Sequence, residues 1–96
     1  MDLFDARIRI PDAVLHQQLD AETILLHLTA EHYYGLDEVG SRVWQLVDRG
    51  SDGASIVAAL VEEYDVDEAT LRADVARLLD DLLALGLIEV EPGPPA

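Results

Sequence analysis

The sequence predicts an α+β fold, a three-stranded antiparallel sheet followed by a three-helix bundle. Apolar residues recur with a period of two as far as Leu36 and with a helical period beyond Asp37. Aromatic and β-branched residues that suit strands gather in the first third, at Val14, Tyr33 and Tyr34. Asp37, Asp52 and Asp67 stand where helices need N-caps, and Gly50 and Gly86 stand where helices need stops. At 96 residues the chain is expected to be one domain over 1–96, with its core in about 12–90.

Arg7-Ile8-Arg9-Ile10 alternates like a strand and is ended by Pro11, with its pairing left open. Val14 to Leu19 is the first strand of the expected sheet, with Leu15 and Leu19 on one face, and Asp20-Ala21 is a tight connection. Glu22 to Leu28 is the second. There Ile24, Leu26 and Leu28 share one face, while Thr23, Leu25 and His27 share the other, so that Leu25 makes an outer face partly apolar. The third strand, His32-Tyr33-Tyr34-Gly35-Leu36, lies at an edge of the resulting meander.

Asp37 caps a first helix with Val39, Val43, Leu46 and Val47 on one stripe, and Gly50 ends it. Ser51 or Asp52 caps a second helix bearing Ile56, Val57, Leu60, Val61 and Tyr64. Asp67 begins a third that runs to about Leu85. Leu71, Val75, Leu78, Leu82 and Leu85 form its expected core stripe, and Arg72, Ala76, Leu79 and Leu83 flank that stripe on the wheel. The apolar surface is wider than one packing face needs, so the flank either meets the sheet or borders a groove. Leu87 to Val90 reads as a brief extended segment, and Pro92 to Ala96 as a frayed tail.

Twenty acidic residues against six basic ones give a formal charge of −14, which repels phosphate backbones and anionic membranes. Such charge either keeps a small surface solvated or attracts a basic partner. The absence of cysteine excludes a disulfide framework and a thiolate nucleophile and fits a reducing cytoplasm. Acidic residues near Met1 argue against a signal peptide, and no apolar run reaches membrane-spanning length.

Catalytic chemistry is not encoded in any recognisable constellation. His16, His27 and His32 lack metal-ligand spacing, so neither metal nor organic cofactor is expected, and His16 and His27 are placed pointing away from the core. Glu62-Glu63 and Asp80-Asp81 are adjacent on helices and diverge by about 100°. No glycine-flanked serine elbow or phosphate-cradling loop occurs. A sheet with three helices is winged helix-turn-helix-like, a class often tied to DNA. Helix three, however, sets Arg72 and Arg77 against Asp74, Asp80 and Asp81, unlike a helix that reads a DNA groove.

The stretch Ile24-Leu25-Leu26, then His32-Tyr33-Tyr34-Gly35-Leu36-Asp37, then Gly40-Ser41-Arg42-Val43-Trp44 resembles the PqqD-like family, the RiPP recognition elements. Arg49-Gly50-Ser51, Tyr64-Asp65-Val66, Asp74-Val75 and Gly86-Leu87-Ile88 continue the likeness, with Asp37 where asparagine is common. The resemblance implies a domain that binds the leader segment of a ribosomally made precursor peptide. It is closest to the free-standing leader-binding protein of lasso-peptide pathways. It further implies delivery to a separate leader peptidase, a transglutaminase-like cysteine protease, and then to a cyclase. A carrier in pyrroloquinoline quinone biosynthesis, a regulatory winged-helix module and a small enzyme are the competing classes.

Physically, an edge strand at His32, Tyr33, Tyr34, Gly35 and Leu36 can accept an extended peptide as a fourth strand. The expected side-chain trough lies between that strand and the flank Arg72, Ala76, Leu79 and Leu83. Tyr33 faces outward, Gly35 allows close approach, and Tyr34, Leu36 and Trp44 compete as core residues. Arg72 either binds a leader carboxylate or pairs with Glu68.

Overall fold

The structure, a computed structural model, describes residues 7–91. Its elements run β1 (Arg7–Arg9), β2 (Val14–Leu19), β3 (Glu22–His27), β4 (His32–Leu36), α1 (Glu38–Asp48), α2 (Gly53–Glu63), α3 (Glu68–Ala84) and β5 (Glu89–Glu91). The expected frayed tail at 92–96 lies outside the described residues.

Strands β2, β3 and β4 form one antiparallel sheet in that order, as the short connections require. Asp20 and Glu31 take left-handed backbone angles, φ 56° and 58°, to turn the two hairpins. The faces of β3 are the reverse of the expected ones. Leu25 at 0% exposure and Thr23 are buried, whereas Leu26 at 38% and Leu28 stand in solvent. Ile24, Leu25 and Leu26 put apolar side chains on both faces of β3, so a period of two cannot choose the buried one; packing against the helices chooses it. His27 turns inward with Leu25, and His16 sets its ring edge-on to Trp44 with centroids 6.1 Å apart, so neither points away from the core side.

Each helix begins on an aspartate that accepts a backbone N–H from three residues on: Asp37 from Gly40 at 2.8 Å, Asp52 from Ser55 at 2.8 Å, Asp67 from Thr70 at 3.0 Å. Donation by Ser55 holds the Asp52 carboxyl below its usual pKa. Helices α1 and α3 end in the same way. Gly50 and Gly86 take φ 90° and 73°, and the residue after each donates five residues back, Ser51 to Leu46 and Leu87 to Leu82. A Cβ on Gly86 would also come within 3.4 Å of the His27 imidazole. Gly86→Ala is therefore expected to lower unfolding free energy by about 1–2 kcal/mol, measured by urea denaturation.

The core joins Leu25, Leu36, Val43, Trp44, Ile56, Leu60, Leu71, Val75, Leu79 and Leu82 with Leu87 and Ile88. On α3 it departs from the expected stripe. Leu79 is fully buried, Leu78 is half-buried, and Leu85 is exposed. The packing axis of α3 is thus turned toward Leu79. The opening segment finds its partner at the other end of the chain, where β1 pairs antiparallel with β5, Ile8 opposite Val90. Ile8, 5% exposed, belongs to the core, and Arg9 is ion-paired to Glu89 across the ribbon.

Candidate functional site

Hydrogen-bond phase identifies which groups of the β4 edge are open. Leu28 donates to the Ala13 carbonyl at 2.9 Å, making these two a hydrogen-bonded pair in register with β2 and β3. By alternation Leu26, Ile24 and Glu22 turn their backbone groups to β2, and His27, Leu25 and Thr23 turn theirs to β4. Their partners His32, Tyr34 and Leu36 are engaged on β3. Tyr33 and Gly35 are left with N–H and C=O directed at the free edge, where no described strand pairs with them.

A groove of about 470 Å³ lies beside that edge. One wall is Tyr34, Gly35 and Leu36 of β4, the end is Asp37, Val39, Gly40 and Val43, and the far wall is Asp74, Val75, Arg77, Leu78 and Asp81 of α3. The α3 flank that borders β4 is therefore opposite to the expected one. Leu79 is sealed in the core at 0% exposure, and Arg72, Ala76 and Leu83 do not line the groove. The wheel offered two flanks around the core stripe, and the helix rotated to bury Leu79, leaving Arg72 and Leu83 in solvent, because burial of a leucine rewards that rotation. Asp74 and Asp81, spaced seven residues apart about Arg77, were legible as a charged face of α3, but no sequence signal said that this face meets the sheet.

Of the expected edge residues, Tyr33 is 77% exposed on the outer face, Tyr34 is half-buried, and Leu36 is in the core. Gly35 is exposed, and among the described residues a Cβ there would meet only Ile24 Cδ1, at 3.8 Å. His32 is half-buried beside His27, ring centroids 5.7 Å apart, with Nε2 buried and without a hydrogen-bond partner among the described residues. The His27 Nδ1 accepts from Ala30 N–H at 3.1 Å and so holds the hairpin end. The outer face of the sheet is apolar and open, with Leu15, Leu26 and Tyr33 in one cross-strand row; the sequence placed Tyr33 there but not Leu26.

Charge in the site is uneven. All six basic residues of the chain are arginines. Arg42 forks onto Glu63 at 2.8 and 3.0 Å, tying α1 to the end of α2; that hydrogen bonding raises the Arg42 pKa and lowers that of Glu63. In the groove, Arg77 makes no ion pair within 4.0 Å among the described residues, and Asp37 is committed to its cap. No three His, Asp or Glu side chains among the described residues are grouped to hold a metal ion, and no described helix is long and apolar enough to cross a membrane.

Residues 22–88 match the family described as coenzyme PQQ synthesis protein D, PqqD. The chain belongs to the PqqD family. Among relatives, the PqqA binding protein of Rhodopseudomonas palustris is 34% identical over 61 residues, covering 64% of this chain and 60% of its own length. The matched stretch thus spans somewhat under two thirds of that relative. A solved structure of TbiB1 in complex with the TbiA(beta) leader peptide superposes with TM-score 0.81 and 40% identity, covering 92% of this chain and 99% of that one. Lasso peptide synthetase B1 complexed with the leader peptide shares the fold, with TM-score 0.78 and 23% identity over 85% of this chain and 96% of its own. The α+β architecture of this PqqD-family protein, sheet first and helices after, is that of these leader-peptide complexes.

Proposed function

We propose that this PqqD-family protein binds the leader segment of a ribosomally synthesised precursor peptide by strand addition at β4. It then delivers the peptide to a separate leader peptidase and a cyclase in a lasso-peptide pathway. The observation that carries this reading is the β4 edge itself, with the backbone groups of Tyr33 and Gly35 unpaired among the described residues beside a groove. Backbone pairing supplies register and affinity for an extended peptide, and the groove supplies selection of alternate side chains. The likeness to TbiB1, complexed with a leader peptide and 40% identical over nearly its full length, supports the same use of the same fold.

The chain contributes recognition and leaves the chemistry to its partners. Handover needs a surface that stays open while β4 is paired, and the apolar outer face bearing Leu15 and Leu26 meets that need. Neither nucleic acid nor membrane is a partner of so acidic a chain. A second reading, a carrier for the peptide of pyrroloquinoline quinone synthesis, draws on the 34% identity to PqqA binding proteins. The TbiB1 likeness covers more of the chain at higher identity and favours the lasso pathway.

The test is amide hydrogen exchange during titration with a lasso-precursor leader peptide, the TbiA(beta) leader bound by the 40% identical TbiB1. The Tyr33 and Gly35 amides are expected to exchange fast in the free protein and to become protected on saturation. Binding that leaves both amides fast would refute strand addition at β4.

A further inference from the structure

We infer that Asp74 and Asp81 make the groove select leaders carrying lysine or arginine on the side turned toward α3. This rests on the strand-addition reading and specifies what the added strand must carry. Both carboxylates lie on the wall that faces β4, with Arg77 between them, so the three α3 charges of the groove sum to one negative. Neither Asp74 nor Asp81 is drawn into an ion pair within 4.0 Å by any described cation.

The dimensions suit a peptide strand. Seven helical residues separate the two carboxylates by ~10 Å along α3. Alternate residues of an extended peptide repeat every ~6.6 Å, so two cationic residues two or four apart bring flexible side chains to both. Leu78 and Val75 lie on the same wall and receive the stems of such side chains while their charged ends reach the carboxylates. Arg77, lodged between, disfavours a third cation at the intervening position. The remaining acidic residues add a long-range field that draws cationic peptides in but, being screened over about 8–10 Å, cannot read position.

The experiment uses the full chain and a displayed library of random 20-residue peptides, with Tyr33→Pro protein as the counter-selection. A selected peptide and its Lys→Gln or Arg→Gln derivative are then titrated against the parent, an Asp74→Asn/Asp81→Asn double variant and a Glu62→Gln/Asp65→Asn control. The expected result is enrichment of Lys and Arg at two alternate positions. Loss of those charges should cost about tenfold in affinity with parent and control and nothing with the Asp74/Asp81 variant. Captured peptides without cationic enrichment, or the same loss with every protein, overturn the charge selection while leaving strand addition intact. Capture that Tyr33→Pro does not diminish, or no capture at all, overturns strand addition and this inference with it.

Discussion

Tyr33→Pro is expected to fold like the parent and to lose leader binding by a hundredfold or more, on the order of 3 kcal/mol. Proline removes an N–H, and at Tyr33 that N–H points to the open edge, so the β3–β4 ladder through His32, Tyr34 and Leu36 keeps its bonds. The loss falls on the incoming strand, which forfeits one backbone bond and meets the pyrrolidine ring where its own backbone must approach. One net hydrogen bond is worth only about 1 kcal/mol, so the larger part of the effect comes from neighbouring pairs that the ring holds apart. Tyr33→Ala separates backbone from side chain. It keeps the donor, and its affinity should stay within about 1 kcal/mol of the parent, because the ring is exposed and faces away from the groove. The readout is isothermal titration with the precursor leader, alongside circular dichroism and a melting curve for each variant. A folded Tyr33→Pro protein that binds as tightly as the parent would mean that the leader does not pair with β4.

Leu79→Asp is expected to abolish folding, and Leu79→Ala to cost about 2–5 kcal/mol. Leu79 is 0% exposed within the cluster that joins α3 to the rest of the core. An aspartate there has no cation to pair with, and an unpaired buried charge costs several kcal/mol beyond the lost packing. Domains of this size have only about 5–15 kcal/mol in reserve. The alanine variant should melt lower by about 4–8 °C for each kcal/mol lost. Leu83→Asp gives the contrast. At 39% exposure its side chain keeps access to water, and the cost should fall below that of Leu79→Ala. Equal melting midpoints for Leu79→Asp and the parent would show that Leu79 is not a core residue. Loss of binding in a Leu79 variant consequently reports on folding; the groove is probed through Leu78, Asp74 and Asp81.

Family membership and leader binding rest on different supports. The first follows from a match over residues 22–88; the second is the proposal, which draws on an open edge, a groove and a well-covered relative solved with its leader. The acidic residues divide into two roles. Glu63 is spent on Arg42, joining helices, whereas Asp74 and Asp81 border the groove. Net charge alone could not distinguish them.

The order and type of the elements were legible in the sequence because they depend on local chemistry, although the second strand of the sheet stops at His27 rather than Leu28 and the exit segment expected at Leu87 to Val90 pairs as Glu89–Glu91. A change of period at Asp37, whose carboxylate caps Gly40, marks where sheet gives way to helix, and Gly50 and Gly86 stop helices by taking left-handed angles that other residues resist. The edge position of His32–Leu36 followed from short connections. Choices between sides were settled by tertiary packing. Strand β3 is apolar on both faces, so Leu25 rather than Leu26 became core only when the helices packed on one of them. Helix α3 is apolar over so wide an arc that its rotation was set by burying Leu79, which turned Asp74, Arg77 and Asp81 toward β4 in place of Arg72, Ala76 and Leu83. The pairing of β1 with β5 joins Arg7 to Glu91, residues whose short strands carry no signal of a partner so distant in the chain. Local periodicity tells which residues share a face; which face is buried depends on the free energy of the whole packed core.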